Sequence, residues 1–145
     1  MEKWAYPYEV SKITVGEGIR MAYVDEGEGP VLLFIHGLGS NLKGWKKNID
    51  VLRNNYRCLA IDLPNYGKSS GGEFSFRMTF FAAKVLEFIQ ALQLTEVTLV
   101  GHSMGAQSAV HAALTGYQRI RSVVLIAPAG FERFSRRDAL LLRSV

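Results

Sequence analysis

The sequence is poor in cysteine and histidine. Its 145 residues include one cysteine, Cys58, and three histidines. A single cysteine excludes an internal disulfide, and its place in the apolar stretch YRCLAID predicts a buried core residue rather than a reactive thiol. The three histidines are not spaced with acidic residues as metal ligands would be, so we expect neither a metal nor another cofactor.

Long hydrophobic runs are absent as well. The longest are about seven residues, far below the roughly 20 that cross a bilayer. The N terminus lacks a positively charged start followed by an apolar run. We therefore expect no membrane span and a cytoplasmic location. The net charge is +4, but no nucleic-acid-binding motif accompanies the basic residues, so no nucleic-acid partner is expected.

The chain does have the composition of a folded core. Apolar residues make up 48% of it, and its length suits one domain. Near the N terminus, the stretches YEVSKITV and IRMAYVDEG alternate polar and apolar residues on either side of a turn at residues 16–18. This alternation predicts an antiparallel hairpin.

Beyond the hairpin, the hydrophobic pattern changes from alternating to continuous. Four short apolar runs follow: VLLFIHG, YRCLAIDLP, EVTLVGHS and RSVVLIAP. Continuous runs are typical of parallel strands that are buried on both faces. Helical patterns lie between them at about 43–54, 75–93 and 104–117. The order predicts an α/β fold with a mostly parallel sheet of about six strands and helices on both faces.

The stretch VTLVGHSMGAQ carries the strongest chemical signal. Gly101, His102, Ser103, Met104 and Gly105 match Gly-x-Ser-x-Gly between a predicted strand and a predicted helix, which is the context this motif requires. A serine at so sharp a turn has a strained backbone, and the two glycines leave it room. Its position at a helix N terminus favours developing negative charge. Ser103 is therefore the candidate nucleophile.

A second loop supports this interpretation. HGLGSNLKGW, residues 36–45, follows the run VLLFI. If that run forms a neighbouring strand, the loop can direct a backbone N–H toward the serine. Together with the N–H of Met104, it would form a two-donor oxyanion hole for acyl transfer. Trp45 at its end is expected to pack in the core rather than to touch substrate.

Three motifs, HGLGSNLKGW, AIDLPNYGKSS and LVGHSMGAQ, occur in an order and at spacings that resemble the N-terminal half of an α/β-hydrolase. The resemblance covers essentially the whole chain. It implies that Ser103 is the nucleophile and that the backbone N–H groups of Leu38 and Met104 form the oxyanion hole. It further implies supporting residues in the serine turn, Gly101, His102 and Gly105, and in the oxyanion loop, His36, Gly37 and Gly39.

The resemblance also assigns roles in the middle motif. It implies that Asp62 organises a loop and is not the catalytic acid. The chain departs from the family at Asn65, where glycine is common. Because asparagine tolerates left-handed backbone, we expect the turn to be preserved.

A histidine base for the serine is missing. His102 adjoins Ser103, and consecutive side chains at such a turn point apart. His111 lies eight residues into the helix, about 12 Å along its axis, whereas a base needs a contact of about 3 Å. His36 is structural by resemblance. The family order is serine, acid, histidine, and Glu132 is only a weak candidate for the acid.

We therefore expect a truncated chain, with residues 1–130 forming the N-terminal part of the core and residues 131–145 beginning a helical lid. The strand around Val123–Ile126 would then be an unprotected apolar edge, which is a template for pairing. Self-association, or binding of a complementary C-terminal half, is the expected consequence.

The function implied by the resemblance is that of a serine hydrolase acting on small-molecule carboxylic esters or related acyl compounds through an acyl-enzyme. The isolated chain would be inactive because the acid and the histidine are absent. Serine instead of aspartate at the turn argues against epoxide hydrolase chemistry. The alternatives are a carbon–carbon bond hydrolase, a cofactor-free haloperoxidase, and a noncatalytic fragment that serves as a folding or interaction unit.

Overall fold

A computed structural model describes residues 5–116 and 118–131, and within these ranges one six-stranded sheet is flanked by three α-helices. The strands are β1 (Ser11–Thr14), β2 (Arg20–Glu26), β3 (Val31–Ile35), β4 (Arg57–Ile61), β5 (Val97–His102) and β6 (Ile120–Ile126). The helices are α1 (Lys46–Leu52), α2 (Met78–Ala91) and α3 (Met104–Thr115).

The strand order is β1-β2-β4-β3-β5-β6. β1 pairs with β2, and β2 with β4, in antiparallel fashion, whereas β4, β3, β5 and β6 run parallel. In the centre of the sheet, Leu33 stands between Leu59 and Leu99. The predicted fold class, a mostly parallel sheet that begins with an antiparallel hairpin, is confirmed.

Helices cover both faces of the sheet, as the continuous apolar strands predict. Leu33 and Ile35 of β3 pack into a cluster with residues of α2 and α3. Phe34, between them in sequence, points to the other face and packs with Ile49 of α1. Trp45 lies there as well, with its ring centroid 5.1 Å from that of Phe34, so its predicted packing role is confirmed.

Cys58 belongs to this second cluster and is fully buried. Burial raises the pKa of its thiol to about 11, and the nearby Asp25 carboxylate adds to the effect. The thiol is therefore protonated at neutral pH, which agrees with a core role rather than a reactive one.

The helices differ in extent from their predicted spans. The first is a 3₁₀ turn at Leu42–Trp45 that continues into α1, and the Asn41 side chain accepts the N–H of Lys43 at its start. The second begins at Met78 rather than near residue 75, because Arg77 still has extended backbone. The third ends at Thr115, before Gly116.

The hairpin is fixed to α2 by a buried lysine that the sequence pattern did not reveal. Lys84 Nζ lies 3.1 Å from Glu17 and 3.0 Å from Glu87, and its side chain is only 4% exposed. Although burial opposes the charged form, hydrogen bonds with these carboxylates raise its pKa overall. The N–H of Gly16 donates to Glu87 at 3.0 Å, so the hairpin turn and the helix are joined directly.

Among the strands in residues 5–116 and 118–131, β6 lies at one edge of the sheet, as predicted for Val123–Ile126. Val124, Leu125 and Ile126 are 46%, 38% and 40% exposed. Self-association or a complementary half stays a prediction. Of the proposed lid, residues 131–145, only Phe131 lies within the described residues. In the described part of the chain, no helix combines the length and apolarity needed to cross a membrane.

Candidate active site

Ser103 occupies a strained backbone turn between β5 and α3. Its φ and ψ are 52° and −118°, in a region that residues with a side chain rarely adopt. Hydrogen bonds fix the turn on both sides. The N–H of Ser103 donates to the carbonyl of Ile126 at 3.0 Å, and the N–H of Ala129 donates to the Ser103 carbonyl at 3.2 Å. The end of β6 thus holds the serine in place.

The two glycines of the motif are required by close backbone approach. A methyl group on Gly101 would lie 2.5 Å from Cα of Ala106 in the following helix. A methyl group on Gly105 would lie 2.3 Å from the carbonyl oxygen of Ile35. Both distances are below van der Waals contact, so the turn packs against its helix and against β3 only because these side chains are absent.

The loop after β3 lies directly against the serine. A methyl group on Gly37 would be 3.1 Å from Cβ of Ser103. A turn follows, in which the N–H of Ser40 donates to the Gly37 carbonyl at 3.2 Å and Gly39 takes a left-handed φ of 69°. Leu38, at the tip of this turn, is 67% exposed. The structure therefore brings the predicted oxyanion loop and the predicted nucleophile together.

The two predicted oxyanion donors are backbone N–H groups in different elements, one in α3 and one in the loop after β3. The N–H of Met104 belongs to the first residue of α3, where no carbonyl one turn earlier can accept it. The N–H of Leu38 lies in the turn of the loop. Within residues 5–116 and 118–131, neither N–H has an acceptor.

His36 is held in one neutral tautomer. Its Nε2 accepts the N–H of Leu63 at 3.0 Å, which requires the ring proton to be on Nδ1. Nδ1 then donates to the carbonyl of Gly37 at 2.8 Å. Burial lowers the pKa of the ring, and the Gly37 bond and the Asp62 charge oppose this only in part. Both ring nitrogens are engaged in positioning loops, so neither is available to Ser103.

This burial makes folding stability depend on pH. Because the pKa of His36 is lower in the folded state, the unfolded chain binds a proton first as the pH falls below about 6.5. We expect the free energy of unfolding to drop through this range by up to about 1.4 kcal/mol per pH unit, and to level off below the folded pKa. Urea unfolding at pH 7.5, 6.5 and 5.5 measures the slope.

The matched variants for this measurement are His36→Gln and His111→Gln. His36→Gln should remove the slope between pH 6.5 and 5.5, where carboxylates contribute little, whereas His111→Gln should retain it. An unchanged slope in His36→Gln would show that another group titrates.

Asp62 joins three segments at the same edge of the sheet. Its buried carboxylate accepts the N–H of Leu42 at 2.8 Å through Oδ1. Through Oδ2 it accepts the N–H of Lys68 at 2.8 Å and the hydroxyl of Tyr6 at 2.7 Å. Gly67 has a left-handed φ of 52°, and a methyl group there would collide with Oδ2. Through Leu42, Asp62 thereby ties the oxyanion loop to the loop after β4.

Asn65 preserves the turn in that loop, as predicted. Its φ is 70°, in the left-handed region. Its side chain pairs with Gly72 in both directions, donating to the carbonyl at 3.0 Å and accepting the N–H at 2.7 Å. The asparagine side chain therefore joins the two ends of the loop through a pair of hydrogen bonds that a glycine could not form.

The remaining histidines do not reach the serine hydroxyl. His102 is exposed and lines an open cleft of about 380 Å³ together with Gly37 and Ile126. His111 lies in the third turn of α3. Within the described parts of the chain, no histidine or carboxylate hydrogen-bonds to Ser103. Glu132, the weak candidate acid, lies outside the described residues.

A family model described as the alpha/beta hydrolase fold matches residues 30–142, and the chain belongs to this family. It is 38% identical over 116 residues to the dihydrolipoyllysine-residue acetyltransferase component of the acetoin cleaving system of Cupriavidus necator, over 79% of this chain and 31% of that protein. It is 34% identical over 94 residues to epoxide hydrolase 2 of Caenorhabditis elegans, over 62% of this chain and 26% of that protein.

The fold matches solved structures of the same family. A membrane phospholipase A, described as a bacterial virulence factor, superposes with a TM-score of 0.86 and 30% sequence identity. The match covers 94% of this chain and 46% of that structure. The chain thus spans less than half the length of each of these three relatives.

Proposed function

We propose that this chain supplies the nucleophile and the oxyanion hole of a serine hydrolase that cleaves carboxylic esters or related acyl compounds. The observation that carries the proposal is the backbone geometry of Ser103. Ser103 has a φ of 52° in a turn against the loop after β3, and the N–H groups of Leu38 and Met104 have no acceptor in the described part of the chain, which supports their proposed role as oxyanion donors. Hydrolases are among the family relatives, and the finer assignment to acyl transfer rests on this geometry.

In the proposed reaction, Oγ of Ser103 attacks the acyl carbon and its proton passes to a base. The negative charge that develops on the carbonyl oxygen is stabilised by the N–H groups of Leu38 and Met104, each worth about 3–4 kcal/mol in the transition state. The alcohol leaves with the proton, and water then cleaves the acyl-enzyme. We propose that the base and its acid partner come from polypeptide outside these 145 residues.

The residue at the turn separates this chemistry from epoxide opening, which the relative from Caenorhabditis elegans carries in its name. In epoxide opening by this fold the attacking group is a carboxylate, which forms an alkyl ester. Ser103 offers a hydroxyl instead, and the two N–H donors suit the oxyanion of a tetrahedral acyl intermediate. The site therefore favours acyl substrates over epoxides.

Covalent labelling with an alkyl fluorophosphonate tests the proposal. We expect the chain to be phosphonylated at Ser103, slowly because no base contacts the hydroxyl within the described residues. Ser103→Ala should lose the label. Ser40→Ala is the matched control, since Ser40 lines the neighbouring cleft without occupying the strained turn, and it should retain the label.

A further inference from the structure

We infer that the left-handed backbone of Ala127 holds Ser103 in its strained conformation, which makes Ala127 a positioning residue for the proposed nucleophile. The inference rests on the proposed role of Ser103 and adds to it a residue that lies outside the Gly-x-Ser-x-Gly motif. It concerns residues 126–129, from the last residue of β6 to Ala129, which we call the β6 turn.

The strands β5 and β6 leave the sheet in the same way. Their last paired residues are His102 and Ile126. The next residue of each chain segment has a left-handed φ, which is 52° at Ser103 and 40° at Ala127. Neither residue is a glycine, so both conformations are unfavourable and persist only where neighbouring contacts fix them. Two strained residues therefore follow one pair of neighbouring residues at the end of the sheet.

The β6 turn binds both polar groups of the Ser103 backbone. The N–H of Ser103 donates to the carbonyl of Ile126 at 3.0 Å, and the Ser103 carbonyl accepts the N–H of Ala129 at 3.2 Å. The angles φ and ψ are the rotations that relate the two rigid peptide planes on either side of a residue. Because the β6 turn holds one atom of each plane, it restricts both angles of the serine.

The start of α3 acts on one of these two planes. The Ser103 carbonyl also accepts the N–H groups of Ala106 at 3.1 Å and Gln107 at 3.2 Å, in the first turn of the helix. Both bonds act on the plane after the serine, not on the plane before it. The acceptor for the N–H of the preceding plane is Ile126, so the strained φ depends on the β6 turn as well as on the helix.

A proline explains why the β6 turn contains a strained residue. In a regular parallel ladder, a residue donates to the position before its partner and accepts from the position after it. Because His102 pairs with Ile126, Ser103 lies opposite residue 127, and the donor to its carbonyl would be residue 128. That residue is Pro128, which has no N–H. The N–H of Ala129 takes its place, so the β6 turn must accommodate one extra residue.

Ala127 provides the change of direction that the extra residue requires. Its φ of 40° departs from the extended backbone that a residue before proline prefers. Pro128 cannot compensate, because its ring holds φ at about −65°. The Ala127 side chain is exposed, so core packing does not impose this conformation. The conformation is explained instead by the two hydrogen bonds that the β6 turn makes with Ser103.

Hydrogen exchange of the Ser103 and Ala129 amides, measured by NMR on the 145-residue chain, tests the inference. Ala127→Val places a β-branched residue in left-handed backbone and should accelerate exchange of both amides about five- to thirtyfold. Ala127→Asn is the matched variant, because asparagine is similar in size and tolerates this backbone; it should keep both rates within about twofold of the unsubstituted chain. Ala127→Gly, which adopts this backbone without strain, should do the same.

Glu96→Val controls for strain that is placed elsewhere. Glu96 is exposed, has a φ of 53° and lies immediately before β5, at the opposite end of the strand that leads to Ser103. The substitution introduces the same β-branched strain without touching the β6 turn. It should leave exchange of the Ser103 and Ala129 amides within about twofold of the unsubstituted chain, because the two sites are distant.

The rate of phosphonylation connects this conformation to the proposed chemistry. Ala127→Val should slow the labelling of Ser103 by an alkyl fluorophosphonate about tenfold or more, because a small displacement of a reacting group is costly. Ala127→Asn and Glu96→Val should be labelled at the unsubstituted rate. A merely structural role of Ala127 would lower the free energy of unfolding in Ala127→Val and Glu96→Val alike, without this difference in labelling rate.

Three results would overturn the inference: unchanged exchange in Ala127→Val, equal acceleration in Ala127→Asn, or equal acceleration in Glu96→Val. Accelerated exchange with an unchanged labelling rate would also overturn it, because the β6 turn would then not position the nucleophile. If exchange responds as expected but Ser103 is not labelled in any chain, the role of Ala127 in holding the turn stands and the nucleophile assignment fails. A labelled Ser103 with unchanged exchange leaves the proposed function and removes the inference.

Discussion

Gly105→Ala is expected to destabilise the fold by about 3 kcal/mol or more, toward the upper end of what single substitutions do. The added methyl group would lie 2.3 Å and 2.4 Å from the carbonyl oxygens of Ile35 and His36. Both are backbone atoms at the end of the central strand β3, so they cannot move without shifting the sheet. The contact could be relieved only by displacing α3, which carries the serine turn.

Helix propensity alone predicts the opposite sign. Gly105 is the second residue of α3, and alanine would favour a helix by about 1 kcal/mol. The steric overlap must therefore outweigh a favourable contribution. Gly71→Ala is the matched control, because its methyl group would meet only the Asn65 side chain at 3.6 Å. Urea unfolding should show Gly71→Ala within about 0.5 kcal/mol of the unsubstituted chain, and a similar result for Gly105→Ala would contradict the close packing of α3 on β3.

Asp62→Ala is expected to cost about 3–5 kcal/mol of stability, which is the usual range when a buried, fully hydrogen-bonded charge is removed. The substitution leaves three donors without their acceptor: the N–H groups of Leu42 and Lys68 and the hydroxyl of Tyr6. Leu42 is completely buried, so its N–H cannot turn to water. The oxyanion loop would lose its attachment at Leu42.

Two milder variants, Tyr6→Phe and Asp62→Asn, separate the contributions of the individual hydrogen bonds to the stability of the fold. Tyr6→Phe removes one of the three bonds, on the partly exposed side, and should cost about 1 kcal/mol. Asp62→Asn keeps the shape and one carbonyl acceptor and should lie between the two. Hydrogen exchange of the Leu42 amide should accelerate in Asp62→Ala and remain slow in Tyr6→Phe. A fully stable Asp62→Ala would show that this carboxylate does not organise the loops.

The general fold follows from local patterns in the sequence. The continuous run VLLFI predicts a strand buried on both faces, and in the structure Leu33 and Phe34 do face opposite clusters. Ser103 is likewise marked by its neighbours, because a serine between two glycines at a strand-to-helix boundary predicts a strained turn. Here each local preference agrees with the final structure.

Contacts between distant segments have no such signal. The Tyr6 hydroxyl donates to Asp62 across 56 positions of sequence. Lys84 donates to the Gly16 carbonyl and forms an ion pair with Glu17 across more than 60 positions. Nothing in the local pattern around Tyr6 distinguishes it from an exposed N-terminal residue. The predicted start of α2 near residue 75 is too early, because Arg77 still has extended backbone and the helix begins at Met78.

The substitution of asparagine at position 65 shows how far residue chemistry can extend a resemblance. Tolerance of left-handed backbone is a property of asparagine itself, so the turn could be predicted without coordinates. The paired hydrogen bonds with Gly72 could not, since they depend on where the loop returns seven residues later. Local conformation was predictable, and its tertiary partner was not.

The central claim, that Ser103 is a nucleophile, is tested most directly by locating the fluorophosphonate adduct by mass spectrometry. Tryptic cleavage after Lys84 and Arg119 releases one peptide, residues 85–119, that contains Ser103 and the buried Ser108. Fragment ions distinguish the two serines. The peptide of residues 21–43 contains Ser40 and provides the internal reference. We predict an adduct on Ser103 and none on Ser40 or Ser108. Modification of Ser40 at the same rate as Ser103, or an unmodified Ser103, would contradict the assignment.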